Sequence, residues 1–242
     1  MTLEDFSNTF DIMFNNLMSD RAPEVNDYEK SVLLTLAQEA VASEILSSSF
    51  EADERRRRAV DALVEGAEVA PSGAAAPAHL LQAGVETAVF DLPPRLWAIV
   101  RETAAVSSPG SCLDGLRIPV RPARLDDLSH DLGDPFRGPS PRRALRVDVG
   151  GGRGRRSVAL LSGLPLSSYA LAYARRPRPI LLADFGGDGY DQVHIRGVST
   201  FKGALDGYDP SDLMSEPCEL GEAVHAEIVA KAATMARAAL AS

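Results

Sequence analysis

The sequence predicts an α+β fold, in which an N-terminal helical bundle and a C-terminal helix pack with an antiparallel β-sheet or barrel-like insertion. Apolar residues recur every three or four positions near both ends of the 242-residue chain, which is typical of amphipathic helices. Between these ends lie short apolar segments separated by Gly, Pro and Ser, which is typical of antiparallel strands. Helices followed by strands and a closing helix favour α+β over an alternating α/β sheet.

The N-terminal helical region is predicted over residues 1–70. Thr2 can cap a first helix with the apolar stripe Leu3, Phe6, Phe10, Met13 and Leu17. Asn26 or Asp27 can start a second helix, which carries Val32, Leu33, Leu36, Ala40, Val41 and Ile45. A third helix is indicated by Phe50, Val60, Leu63 and Val64, with acidic residues placed ahead of four arginines as the helix dipole favours.

The later elements are predicted to be short, apart from the last. Residues 71–83 form a linker or exposed loop, and residues 84–183 form the antiparallel β-rich region. Within it, strands are expected at residues 85–90, 118–120, 144–149, 157–161 and 169–174. Residues 97–101 fit a strand or a short helix, with the strand favoured, and residues 125–128 fit a single helical turn or a short helix. Residues 184–219 form an extended loop rich in Gly, Asp and Pro, and residues 220–242 form the helix that packs on the helical core.

Composition limits the classes of function. The 45% hydrophobic and 24% charged residues are ordinary for a globular protein. A formal net charge of −9 argues against wrapping nucleic acid with the whole surface, and 6% aromatic residues give little sign of a base-stacking platform. The acidic N-terminus lacks a signal peptide, and no apolar run reaches the ~18 residues of a membrane span. The chain is therefore expected to be cytoplasmic or virion-borne, with no membrane partner.

The glycine-rich residues 148–154 (Asp-Val-Gly-Gly-Gly-Arg-Gly) support two interpretations. By themselves they resemble the cofactor motif of an S-adenosylmethionine-dependent methyltransferase, in which a strand ends in a glycine turn that enters a helix. However, only the short segment 155–161, seven residues long, and Ser162 precede Gly163 and Pro165. In addition, Arg175-Arg176-Pro177 occupies the place where an acidic residue would hold a ribose. A β-hairpin is therefore the favoured interpretation, and the methyltransferase remains the alternative.

No other catalytic pattern is present in the sequence. The histidines at 79, 130, 194 and 225 are dispersed, and Cys112 and Cys218 match no metal or redox spacing. Residues 186–189 (Gly-Gly-Asp-Gly) carry too few carboxylates for a calcium loop of the EF-hand type. We therefore expect no catalytic, metal or cofactor site, and a protein that is not an enzyme.

Residues 26–40 (NDYEKSVLLTLAQEA) closely resemble the N-terminal helix signature of virion structural proteins of crAss-like and related gut phages. Further blocks that resemble this family follow in the same order. They are residues 50–57, Leu92-Pro93 with Trp97, and residues 118–122, 134–140, 143–148, 173–180, 218–220 and 225–228. The resemblance therefore extends over nearly the whole chain. It departs from the family in its Ala- and Arg-rich composition, in the turn at 150–156 and in the long excursion at 184–217.

This resemblance implies an assembly protein of the virion, made in the host bacterial cytoplasm. The expected role is an oligomeric ring in the neck, or head-to-tail connector, between portal and tail. By analogy, twelve copies would surround a channel through which packaged DNA passes without sequence specificity. The implied partners are further copies of the chain, the portal protein and other neck or tail ring proteins. A DNA-binding regulator of phage origin is a further hypothesis, and it predicts a steeply salt-dependent affinity for duplex DNA.

Ten arginines are candidate contacts with neighbouring subunits or with DNA in the channel: Arg55, Arg56, Arg57, Arg58, Arg153, Arg155, Arg156, Arg175, Arg176 and Arg178. An interface role is predicted for Arg175, Arg176 and Arg178, because Pro177 and Pro179 hold that segment extended. Solvated faces enriched in Arg by a GC-rich coding bias remain the alternative, since the chain has only three lysines.

Overall fold

Two helices of the chain begin at reciprocal side-chain caps. In the computed structural model, which describes residues 1–17, 24–47, 54–150, 156–182 and 216–241, α1 spans Leu3–Leu17 and α2 spans Asp27–Ser47. Thr2 and Asp5 exchange backbone-to-side-chain hydrogen bonds of 2.8 and 3.2 Å, and Asn26 and Glu29 do the same at 3.1 and 2.8 Å. Both pairs satisfy amides that a helix start leaves without partners. The predicted cap at Thr2 is confirmed, and Asn26 is the cap of α2.

The chain divides into two compact units. The helical unit comprises Met1–Leu63 and Arg176–Ser242, and the sheet unit comprises Val64–Arg175. Both α1 and α2 pack against the closing helix α5, His225–Ala241, which follows a 3-10 turn at Glu222–Val224. Phenylalanines four residues apart form the buried stripe of α1, namely Phe6, Phe10 and Phe14. This spacing places them on one face, so the amphipathic pattern of the sequence is realised.

The third helix is shorter than predicted. α3 spans Glu54–Ala59, and after a 3-10 turn at Asp61–Leu63 the chain enters strand β1, Val64–Val69. The prediction that Val64 continues the helix is wrong. β1 pairs antiparallel with a strand more than 100 residues later, from Val64 opposite Ala174 to Val69 opposite Tyr169. The spacing of Val60, Leu63 and Val64 also fits a helix, but pairing with the distant strand determines the structure at Val64.

The sheet unit contains a curled, mixed seven-stranded sheet in the order β1-β7-β3-β4-β5-β6-β2. Its later strands are β2 Glu86–Asp91, β3 Leu96–Val106, β4 Arg117–Pro122, β5 Ala144–Asp148, β6 Ser157–Ser162 and β7 Leu166–Arg175. The α+β class is confirmed, although one pair departs from the predicted antiparallel pattern, because β4 and β5 are parallel. The connection between them contains a short helix, α4, Leu128–Gly133, and parallel neighbours need such a crossover.

Two apolar clusters cover the two faces of this sheet. One contains the aromatic side chains Phe90, Tyr169 and Tyr173 together with residues of β3, β4 and β7. The other is formed by Leu145, Val147, Ala159 and Leu161 and is covered by Leu80 and Leu128. Leu80 belongs to a 3-10 turn, Ala78–Leu80, inside the predicted linker 71–83. Alternate residues of β5 and β6 thus contribute to opposite faces, as the period of a strand requires.

Candidate functional site

The arginines of α3 differ in their surroundings. Arg56 reaches α5, where its Nη2 donates to Glu227 Oε1 at 2.6 Å. Arg58 is largely exposed and pairs with Glu54 one turn earlier at 2.6 Å. Arg55 is exposed and Arg57 is half-buried. Arg56 therefore ties α3 to the helical unit, whereas the exposed arginines face the solvent, where ion pairs contribute little to stability.

Arg175, Arg176 and Arg178 each pair with a carboxylate of the same chain. Within the sheet unit, Arg175 Nε lies 3.3 Å from Glu65 Oε1. In the helical unit, Arg176 binds both oxygens of Glu39 side-on, at 2.7 and 2.9 Å. This bidentate geometry is the strong form of an arginine–carboxylate pair.

Arg178 has a more elaborate set of contacts. Its amide and Nε donate to the two oxygens of Glu219 at 2.8 and 2.7 Å, and its Nη2 donates to Glu216 at 2.8 Å. Burial disfavours the charged guanidinium, but the hydrogen bonds and charges of Glu216 and Glu219 prevail and raise the pKa of Arg178. Arg178 therefore joins the segment before residues 183–215 to the segment after them.

Residues 176–182, hereafter the strap, lie along α2 and are held by a row of polar side chains. Gln38 Nε2 donates to Arg178 O at 2.7 Å, Ile180 N donates to Thr35 Oγ1 at 3.0 Å, and Leu182 N donates to Ser31 Oγ at 3.0 Å. Alternate residues of the strap thus meet side chains three and four positions apart on the helix. Sequence reasoning missed this row, although buried polar residues at that spacing on an apolar helix are a detectable signal.

The strands on either side of the glycine-rich residues pair as a β-hairpin, as predicted, while residues 151–155 lie outside the described residues. β5 and β6 are antiparallel, with Asp148 opposite Val158, and Val149 N donates to Ser157 O at 3.2 Å. Gly150 has a φ of 64°, a left-handed conformation that glycine adopts without strain. Because a strand follows the glycines, the helix that a methyltransferase cofactor turn would enter is absent from the described residues that flank this turn. Arg153 and Arg155 lie outside the described residues, and exposed Arg156 donates to Leu96 O at 3.4 Å.

A buried polar group lies on the aromatic face of the sheet. Tyr169 on β7 donates to Glu102 on β3 at 2.5 Å, and Arg146 on β5 donates to the same oxygen at 3.2 Å. Burial, with the hydrogen bond to Glu102, raises the pKa of the Tyr169 hydroxyl. Burial also raises the pKa of Glu102, against the opposing effects of Tyr169 and Arg146. Tyr169 and Arg146 thus donate to one oxygen of Glu102, whereas Arg146 Nε has no hydrogen-bond partner among the described residues. The group has the geometry of a structural network.

The described histidines and cysteines differ in their surroundings. His79 and His130 are exposed in the sheet unit, whereas His225 is buried and contacts Leu220 O through Nε2 at 2.8 Å. Burial lowers the pKa of His225, and burial raises the pKa of the Cys218 thiol to about 11. Cys112 is exposed. His194 and residues 186–189 lie outside the described residues.

Residues 1–17, 24–47, 54–150, 156–182 and 216–241 lack two further features. Among those residues, no group of three or more His, Cys, Asp or Glu is arranged to hold a metal ion. None of the helices described here combines the length and the apolar character needed to cross a membrane.

Comparison with known proteins places the chain in a family. The family model described as phage tail ring protein 3/4 matches residues 1–242. Ring protein 3 of Bacteroides phage crAss001 is 32% identical, with 98% of this chain and 95% of that protein covered. Ring protein 4/5 of the same phage is 31% identical, with 99% and 93% covered. The resemblance to crAss-like phage structural proteins is confirmed, and the chain belongs to the phage tail ring protein 3/4 family.

Proposed function

We propose that this chain forms a homo-oligomeric ring in the phage neck, between portal and tail, and that the ring surrounds the channel for packaged DNA. The observation that carries the proposal is the similarity to ring protein 3 of Bacteroides phage crAss001 over 98% of the chain. Similarity of this extent includes both the helical unit and the sheet unit, so the ring architecture of that relative is expected here as a whole. The proposed role is structural and not enzymatic.

The distribution of charge supports a channel that DNA crosses without binding. The helical unit has 12 basic and 23 acidic residues, a formal charge of −11, whereas the sheet unit has 13 and 11, a formal charge of +2. An acidic wall repels phosphates and thereby lowers nonspecific affinity for the duplex. We propose that surfaces of the helical unit face the DNA, with twelve copies in the ring by analogy with other phage adaptors.

The arginines are proposed to have two different roles. Arg56, Arg175, Arg176 and Arg178 are held by carboxylates of their own chain, which supports a role in shaping the subunit. Exposed Arg55 and Arg58, together with Arg57, are proposed as contacts with neighbouring subunits, portal or DNA. Arg153, Arg155 and Arg156, at the hairpin between β5 and β6, are proposed as contacts with an adjacent ring.

The decisive experiment measures the mass of the purified chain. Native mass spectrometry and negative-stain imaging would be applied to the chain alone and after mixing with the portal protein of the same phage. We expect closed rings of one copy number in at least one sample, and rings bound to portal in the mixture. A monomer that persists in both samples would overturn the proposed ring. Rings that form but do not bind the portal protein would overturn only the neck position.

A further inference from the structure

Phe136 has the highest exposure of the large apolar side chains in the described residues, with 83% of its surface accessible. It lies in the turn at residues 134–140, between α4 and β5. Single exposed apolar residues are ordinary on protein surfaces. An aromatic ring held outward by a rigid turn is different, because aromatic anchors dominate the energetics of interfaces. Whether Phe136 can act as such an anchor therefore depends on the rigidity of this turn.

Hydrogen bonds hold the turn in one conformation. Asp134 Oδ1 accepts from the amide of Phe136 at 2.7 Å, and Asp134 O accepts from the amides of Arg137 and Gly138 at 3.2 and 2.7 Å. Arg143 then donates twice to Gly138 O, at 3.1 and 2.7 Å. A backbone held this way loses little conformational freedom on binding, so the turn presents Phe136 from a pre-organised position.

The formal charges favour a contact between the sheet unit of one copy and the helical unit of the next copy. In a ring, each subunit presents one face to the neighbour on one side and a different face to the neighbour on the other. A sheet unit of +2 next to a helical unit of −11 avoids the repulsion that two helical units would experience. Arg137, which follows Phe136 in the sequence, and Arg142 are both exposed, so the segment that carries the aromatic anchor is also basic.

The helical unit offers a matching surface on α1. Ile12 is 62% exposed and Leu17 is 38% exposed, although both belong to a helix whose opposite face is buried. The same helix carries Glu4, Asp5 and Asp11. An apolar position on an acidic helix fits an aromatic ring flanked by arginines, because apolar contact and charge complementarity occur together.

We propose that Phe136 of one copy docks on the outer face of α1 of the next copy, beside Ile12. This inference rests on the proposed ring and assigns its subunit contact. The contact is heterologous, since the turn and α1 belong to different units, and repetition of such a contact around an axis closes a ring.

Cysteine pairs test the contact directly. The variant with Ile12→Cys and Phe136→Cys would be made in a Cys112→Ser background, because Cys112 is exposed, whereas Cys218 is largely buried and has a raised pKa. Under mild oxidation of assembled protein, we expect a ladder of disulfide-linked species that ends at the copy number of the ring. Each single-cysteine variant should remain monomeric on a non-reducing gel.

Two outcomes would overturn the proposed contact. Dimers formed by Phe136→Cys alone would indicate a two-fold contact between turns. The absence of a ladder from rings that are seen by imaging would place Phe136 elsewhere, for example against a different ring protein.

A pair of substitutions separates this inference from the proposed function. Phe136→Ser should raise the concentration needed for ring assembly at least tenfold, whereas Val100→Ser should leave it unchanged. Val100 is the matched control, because it is an exposed apolar residue of the same unit, 51% accessible. Both variants should melt at the wild-type temperature. Rings formed equally well by all three proteins would overturn the contact alone, and a wild-type chain that forms no rings would overturn the proposed function with it.

Discussion

The backbone amide of Ile180 donates a hydrogen bond of 3.0 Å to the hydroxyl of Thr35, a residue 145 positions earlier in the chain. Both residues are buried, so no solvent replaces this bond if it is lost. Thr35 also donates to Ser31 O at 2.8 Å, which fixes the direction of the hydroxyl. Thr35, Ser31 and Gln38 thus bind the backbone of the strap through side chains of α2, which take the role that the backbone of a neighbouring strand has in a sheet.

Thr35→Val is expected to destabilise the chain by about 1–3 kcal/mol, because it leaves the buried amide of Ile180 without an acceptor while it preserves side-chain shape. Thr35→Ser retains the hydroxyl and is the matched control, with a smaller loss. Urea unfolding followed by circular dichroism measures both. A Thr35→Val protein as stable as wild type would show that the hydrogen bond contributes nothing.

Arg178→Ala should lower the free energy of unfolding by about 1.5–3 kcal/mol, because Arg178 donates charged hydrogen bonds to Glu216 and Glu219. Arg58→Ala is the control, since Arg58 is exposed and its pair with Glu54 is worth at most about 0.5 kcal/mol. The same urea titration compares the two variants. Equal losses would contradict the distinction between structural and exposed arginines. Because Arg178 variants are expected to be less stable, their folding must be checked before any assembly defect is assigned to a lost subunit contact.

Glu102→Gln should change how stability depends on pH. The pKa of Glu102 is raised above its ordinary 4.5 in the folded chain, so its contribution is present below about pH 4.5 and is lost as pH rises through the folded pKa. Relative to the Gln variant, the wild type should therefore lose stability as the pH rises above 4.5. Unfolding free energies at several pH values measure this difference, and parallel pH profiles would contradict it.

Tyr169→Phe tests the pKa of Glu102 by removing the hydroxyl that donates a hydrogen bond to it. The Tyr169 hydroxyl lowers the pKa of Glu102, so its removal should raise that pKa further and move the loss of stability to higher pH. Tyr173→Phe removes a comparable hydroxyl, which donates to Glu65 at 2.9 Å, and should leave this profile unchanged. An identical shift in both variants would show that the effect is not specific to Glu102.

Gly138→Ala should distort the turn that carries Phe136. An added Cβ would lie 2.9 Å from Asp134 O and 3.1 Å from Asp131 O, so the backbone must move, at a cost of about 1–3 kcal/mol. Gly133→Ala is the matched control, because its Cβ would meet nothing within 4 Å. Thermal unfolding compares the two. If the docking of Phe136 is correct, Gly138→Ala should also weaken ring assembly, whereas Gly133→Ala should not.

Local patterns predicted most elements of the fold. The stripes of α1 and α5 and the alternation of β2 were detectable because each depends on residues close in sequence. The glycine hairpin was predicted from its flanks, since a short segment cannot form a crossover helix. β1 was missed because Val60, Leu63 and Val64 fit a helical spacing, and only pairing with β7 identifies the strand.

The candidate site was less accessible to sequence reasoning. The arginines at 175, 176 and 178 were identified, but their partners Glu65, Glu39 and Glu219 lie up to 137 positions away, and nothing local indicates such pairs. Phe136 entered the sequence analysis only within residues 134–140, a block that resembles the family, because its exposure depends on the fold of the turn. Family membership came from the order of many blocks, which no single motif provided.

The first and last strands of the sheet unit are hydrogen-bonded to each other, from Val64 opposite Ala174 to Val69 opposite Tyr169. The chain therefore leaves and re-enters the helical unit through neighbouring positions, Leu63 and Arg176. Insertion of one folded unit into another is tolerated where the two ends of the inserted unit lie close together. We therefore expect that the sheet unit could be enlarged, shortened or replaced without a change in the sequence of the helices.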